Sequence, residues 1–256
     1  MTTVRDIYQD IDSFAPFRTQ MNFDNCGLQA GDPDAEVRTA LLSLDITPAV
    51  VREAADLGAQ LVISHHPVIF NPLRSLMAGT APYLLAEYGI AAICAHTNLD
   101  LAPGGVNTCL AGRLGLLDVK TLAEDDESGL PAALFGRTAR SFEPREFAAL
   151  VKSSLGCDGL FYADGGRTIT TVGLCSGAGC DYLHAAAAGN CEAFVTGEAK
   201  HHEMIDAENL GVTLVSAGHY FTEDVVIGPL RERLGKRFPG TEFLRAKSSH
   251  CPVKCL

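Results

Sequence analysis

Twice along this chain a short apolar run gives way to a helix-length stretch closed by glycine, and then to a second apolar run that ends in polar, histidine-bearing residues. In the first half the strand-like runs lie at residues 40–45, 61–63 and 90–94. The stretch after the first run carries Pro48 in its opening turn, where a missing N–H costs nothing, and stops at Gly58; a second stretch near 80–88 stops at Gly89. In the second half the runs lie at 170–175, 193–195 and 212–215, with glycines at 189 and 211 closing the stretches between them. Strands alternating with helices require crossovers, and crossovers build parallel sheets. The pattern predicts an α/β chain of two similar three-layer α/β halves, with mainly parallel sheets, from a diverged internal duplication. The halves are expected at 1–125 and 126–256, with the last segment able to pack on the first half. Residues 3–20 read as a helix, and 120–168, acidic at its start, as a linker plus connecting elements.

With 256 residues, 47% of them hydrophobic, the chain can bury a large core. No apolar run approaches the roughly 18–20 residues of a membrane span, and the N-terminus lacks a basic start followed by an apolar stretch, so a cytoplasmic protein is expected. A net charge of −11 repels nucleic acid and anionic lipid, so neither is the default partner. Nine cysteines, an odd number with several in apolar runs, read as reduced thiols. Cys251 and Cys255 supply only half a zinc site and read as a loose terminus.

In a parallel sheet, chemistry gathers where strands end at their carboxyl edge. Three such ends carry His65-His66, Asp100 with His96, and His219 with Glu223. Adjacent imidazoles at a turn forced by Pro67 suit two neighbouring metals. His219 and Glu223, four apart, share one face if a helix starts near 219. Asp100 also fits a helix cap or turn, and Asp45 fits a cap or a group backing a ligand. Three histidines and two carboxylates suffice for two divalent ions if one carboxylate bridges, leaving a site of about +2 that would attract phosphate. His96, His201 and His202 read as supporting or substrate-contacting residues rather than ligands; His184 and His250 read as surface residues. The glycine-rich 176–179 lacks the dinucleotide spacing and a Walker lysine, and no G-x-S-x-G elbow occurs.

The motifs at 24–31 (DNCGLQAG), 62–67 (VISHHP), 95–100 (AHTNLD), 196–202 (TGEAKHH) and 218–223 (GHYFTE) occur in this order. Together they resemble the Nif-three-like proteins (NGG-one interacting factor three), many of which carry the name GTP cyclohydrolase I type 2 homologue. The resemblance spans nearly the whole chain, in the short form without an inserted middle domain. It implies a dinuclear centre on His65, His66, Asp100, His219 and Glu223, with Glu223 as bridge, in a ring-shaped homohexamer. It further implies a hydrolase acting on GTP or another phosphorylated small molecule. With GTP, hydroxide would attack C8 of the guanine ring, and His96, His201 or His202 would transfer protons. Zinc, iron, manganese and cobalt all suit such ligands. A non-catalytic metal carrier or regulatory scaffold, and a purely structural metal site, stay open beside the enzyme.

Overall fold

Each apolar run singled out above forms a strand, and the reason is visible in their burial. The computed structural model describes residues 1–256. In chain order the strands are β1 (Gly27–Ala30), β2 (Thr39–Ser43), β3 (Leu61–Ser64), β4 (Ala91–Cys94), β5 (Leu117–Glu124), β6 (Pro131–Phe142), β7 (Phe161–Ala163), β8 (Ile169–Leu174), β9 (Ala193–Thr196), β10 (Thr213–Ser216) and β11 (Glu242–Arg245). The helices are α1 (Val4–Phe14), α2 (Pro48–Asp56), α3 (Ala81–Tyr88), α4 (Thr97–Leu101), α5 (Val106–Arg113), α6 (Pro144–Leu155), α7 (Leu183–Ala188), α8 (His201–Leu210), α9 (His219–Glu223) and α10 (Ile227–Arg237). Every residue of β3, β4, β9 and β10 is buried. A strand covered on both faces has no polar side to alternate with, so it reads as a continuous apolar run. No helix is long and apolar enough to cross a membrane.

The chain divides into two compact units, Met1–Pro103 with Ile227–His250, and Gly104–Val226 with Cys251–Leu256. In the first, the sheet order is β1-β4-β3-β2-β11, parallel throughout except for antiparallel β1 at the edge. Helix α1 opens on a capping box between Thr3 and Asp6 and buries Val4, Ile7 and Ile11. Helix α2 starts at Thr47, whose side chain accepts from Val50 N–H, with Pro48 in its first turn. Val50, Val51 and Ala54 of α2 join Leu84 and Leu85 of α3 and Val62 of β3 in one core, while α10 packs on β2 and β11.

In the second unit the order is β5-β6-β8-β9-β10-β7. Only β8, β9 and β10 are parallel there; β5, β6 and β7 pair antiparallel. Helices cover both faces. Leu110 of α5 and Phe147 of α6 pack on Val172, Val195 and Val215, and Leu183 of α7 and Ala207 of α8 pack on Phe194 and Leu214. The two sheets share a plan: an antiparallel edge strand, then the last, middle and first of three parallel strands, as β1-β4-β3-β2 and β7-β10-β9-β8.

Two expectations differ in detail. The division falls at Pro103–Gly104 rather than near residue 125, because β5 hydrogen-bonds into the second sheet. The segment expected as linker holds β6, α6 and β7. The cysteines are all free thiols, with Cys94, Cys157, Cys175, Cys180 and Cys191 buried and Cys255 exposed.

Candidate metal centre

In the first unit the site grows from the carboxyl ends of β3 and β4. Past Ser64 the chain turns, with the Ser64 hydroxyl donating to the His66 carbonyl at 2.7 Å. The backbone N–H of His66 still bonds to Leu44 O, at 2.9 Å. His65, 1% exposed, sets its Nδ1 at 2.9 Å from the carbonyl of Ala95, and its own carbonyl accepts the Cys94 thiol at 3.0 Å. His66 sets its Nδ1 at 2.7 Å from Asp45 Oδ1. His96, just before α4, sets its Nδ1 at 2.9 Å from Asp24 Oδ1. The three rings gather with centroids 5.0–5.4 Å apart, and each offers a nitrogen within 4.8 Å of the others'. Asp100, on α4, brings Oδ1 to 3.6 Å from His65 Nε2.

In the second unit the donors follow β10. The chain passes Gly218 and enters α9, so His219 and Glu223 lie one turn apart on one face. His219 Nε2 is 3.0 Å from Glu223 Oε2, and its Nδ1 is 2.9 Å from Glu198 Oε1. Glu223 is only 4% exposed. Gly177, after β8, lies against this pair. A methyl group there would strike the Glu223 carboxylate and reach 3.3 Å from His219 Nε2. The turn at Gly177 is held by its own N–H on Thr222 Oγ1 at 3.1 Å, and by its carbonyl accepting from Gly197 and Glu198 N–H, each at 2.9 Å.

The acceptors fix the chemistry of the four rings. A carbonyl oxygen or an ionised carboxylate only accepts, so Nδ1 of His65, His66, His96 and His219 carries the proton and Nε2 keeps its lone pair. That is the form in which imidazole ligates a metal, with the opposite N–H anchored to an oxygen. Nε2 of His65 and of His219 then faces a carboxylate oxygen. Two lone pairs set against each other are stabilised by a cation between them, either a proton that makes imidazolium or a metal ion. A carboxylate as buried as Glu223 also calls for such a countercharge. The imidazole and carboxylate donors, and the space left by the missing side chain at 177, therefore fit a divalent metal.

Electrostatics single out Asp24. Its side chain is fully buried. Burial pushes its carboxyl up, but hydrogen bonds from His96, Thr97 and Cys26 hold it well below the usual carboxylate range. Burial pushes the Cys94 thiol well up, with the neighbouring Cys26 adding to the shift.

Within the first unit His65, His66, His96 and Asp100 come together; within the second, His219 and Glu223 do. Asp45 backs His66 rather than capping α2, whose cap is Thr47. His201 and His202 stand exposed at the first turn of α8, and it is Glu198, upstream of them, that reaches His219. His184 and His250 are exposed. Asp24, Gly177 and Glu198 have roles that the residue-by-residue reading did not assign. The glutamate and the glycine each follow a strand of the sheet that carries the histidine, which is the signal that marks them.

The model of a family described as Duf34/NIF3 (NGG1p interacting factor 3) matches residues 2–252. A Clostridium perfringens protein named GTP cyclohydrolase 1 type 2 homolog is 29% identical, over 98% of each chain. A Lactococcus lactis protein of the same name is 32% identical, over 85% of this chain and 86% of its own. The crystal structure of a Staphylococcus aureus hypothetical protein superposes with a TM-score of 0.93 at 27% identity, covering 99% of both chains.

Proposed function

This chain belongs to the Duf34/NIF3 family, and from that premise we propose that it is a metal-dependent hydrolase with two divalent ions held by His65, His66, Asp100, His219 and Glu223. The observation that carries this reading is the common tautomer: four imidazoles anchored through Nδ1, two of them with Nε2 set against a carboxylate oxygen. When bound, two such ions would make water a nucleophile near neutral pH and would hold the oxygens of a phosphate. Two carboxylates offset two of the four positive charges, so the centre favours an anionic substrate despite the acidic surface. The relatives' name makes GTP the first substrate to test, followed by other nucleotides and phosphorylated small molecules. The ligand set suits zinc, iron, manganese or cobalt. Of the remaining histidines, His96 stands among the ligand imidazoles, while His201 and His202 are assigned to substrate contact or outer proton transfer. A cytoplasmic homohexamer is the assembly the family likeness implies, and light scattering reads it.

Elemental analysis of the purified chain tests the centre. About two ions per chain are expected for the wild type, and loss of metal for His65→Ala and Glu223→Ala. Unchanged stoichiometry in both variants overturns the ligand assignment. Turnover of GTP or a phosphoester that disappears in Glu223→Gln supports the enzyme. Metal exchange with no turnover across a panel of both supports a carrier instead.

A further inference from the structure

Asp24 lies 72 positions before His96, in a loop, yet its carboxylate is buried and every near donor is directed at it. The two oxygens divide the work. Oδ2 accepts three hydrogens: the Thr97 backbone N–H at 3.1 Å, the Thr97 hydroxyl at 2.5 Å and the Cys26 thiol at 3.0 Å. The Thr97 hydroxyl also accepts the Met21 N–H at 3.0 Å, and facing a carboxylate, which only accepts, it donates its own hydrogen. Oδ1 accepts the Asn25 backbone N–H at 2.8 Å and the His96 Nδ1–H at 2.9 Å. Capping the first turn of α4 needs only the oxygen that meets Thr97 N–H. The second oxygen serves the Asn25 N–H and the imidazole, which sits with its ring centroid 5.0 Å from that of His65 and 5.4 Å from that of His66.

We infer that Asp24 is a positioning residue that locks His96 with its proton on Nδ1, so that His96 Nε2 is a proton acceptor directed at the metal centre. The role of His96 rests on the hydrolase reading above; the lock itself does not. His65 and His66 are anchored in the same sense, but both are assigned to metal. His96 is the third ring of the cluster, and a lone pair on its Nε2 can take a proton from a water or substrate hydroxyl brought to the centre.

The division of labour between the two oxygens makes a sharp prediction for Asp24→Asn. The carboxamide is expected to place its carbonyl where Oδ2 was, since Thr97 N–H, the Thr97 hydroxyl and Cys26 all donate there against the Asn25 N–H alone at Oδ1. Its NH2 group then faces the Asn25 N–H, which loses that acceptor, and His96 Nδ1, which must accept, so the His96 proton moves to Nε2. A donor replaces the acceptor at the reacting end of the ring. A carboxylate-to-amide change behind a catalytic histidine can cost activity in this way, through the wrong tautomer.

The test is ring-nitrogen NMR of the metal-free full chain with 15N-labelled histidine, at a pH where the imidazoles are neutral. His96 is assigned by its absence in His96→Gln. The wild type is expected to show His96 protonated on Nδ1, and Asp24→Asn to show it on Nε2. A wild-type His96 protonated on Nε2 overturns the inference without recourse to any variant, as does an Asp24→Asn spectrum with the wild-type tautomer. On loaded protein, Asp24→Asn is expected to keep the wild-type metal content and KM while kcat falls roughly 10²–10⁴-fold, the range of general base catalysis. Loss of metal from Asp24→Asn overturns the proton-acceptor role, because it makes His96 a ligand. Absence of wild-type turnover on the whole substrate panel sinks the hydrolase reading alone, and the NMR result still decides what Asp24 does.

Discussion

At Gly177 a single hydrogen in place of a side chain decides whether His219 and Glu223, two of the proposed metal ligands, can adopt their positions. The backbone there has φ 57°, and an added Cβ meets the Glu223 carboxylate. Gly177→Ala is expected to cost about 1–2 kcal/mol for the left-handed backbone, plus the displacement of a buried carboxylate. Gly58→Ala supplies the control, because Gly58 has φ 65° with nothing near its missing Cβ. Urea unfolding should show both variants weakened, and metal analysis should show ions lost from Gly177→Ala alone. Equal metal content in the two variants would remove Gly177 from the site. The same scale explains what residue-level reading found and what it left out. His65, His66, Asp100, His219 and Glu223 stand out because each follows a buried strand. Asp24 follows no strand of the parallel set and meets its partner across 72 positions, so no local spacing reports it.

At the scale of elements, the tail of the first unit is tied to α2 through one carboxylate. Glu53 accepts from the backbone N–H groups of Lys247 and Ser248, each at 2.8 Å, and from the Ser248 hydroxyl. Burial pushes the Glu53 carboxyl up, but these bonds outweigh it and hold the group below its ordinary range. A carboxyl depressed in the folded state contributes stability above its unfolded pKa of about 4.3 and loses it as pH falls through the folded value. Glu53→Gln should therefore cost about 1 kcal/mol at neutral pH, the net worth of such bonds. The gap to wild type should close in acid, as read by urea unfolding across pH. A gap that persists below that range assigns the loss to packing instead. Elements were legible in proportion to their burial. The six parallel strands of the two repeats are apolar runs ended by glycine-closed helices. By contrast β5 is exposed over most of its length, and β6 carries Gly136, Arg137 and Arg140 in its middle and end, so neither shows a clean alternation. Their place in a sheet comes from pairing with each other and with β8, which is tertiary information.

At the scale of the whole chain, the donors stand at strand ends while the cores are built from aliphatic and aromatic side chains in each unit. Folding should therefore survive metal removal. Chelation is expected to leave far-ultraviolet circular dichroism at 25 °C unchanged. Thermal stability should fall by the linkage term, about 3–4 kcal/mol at 100–1,000 times Kd, a drop of roughly 5–15 °C for a chain of this size. Unfolding on chelation at 25 °C would mark the metal as structural.

The first unit takes its outermost parallel strand from near the end of the chain. β11 pairs with β2, and Thr241 bonds to Val37 across 204 positions. On the ribosome, then, the N-terminal hundred residues emerge with the outer edge of β2 bare. At synthesis rates of about 5–20 residues per second that edge waits roughly 10–40 s for its neighbour. An open strand edge invites pairing with other chains, so nascent copies and products truncated before residue 242 carry an aggregation hazard that the finished first unit covers with β11.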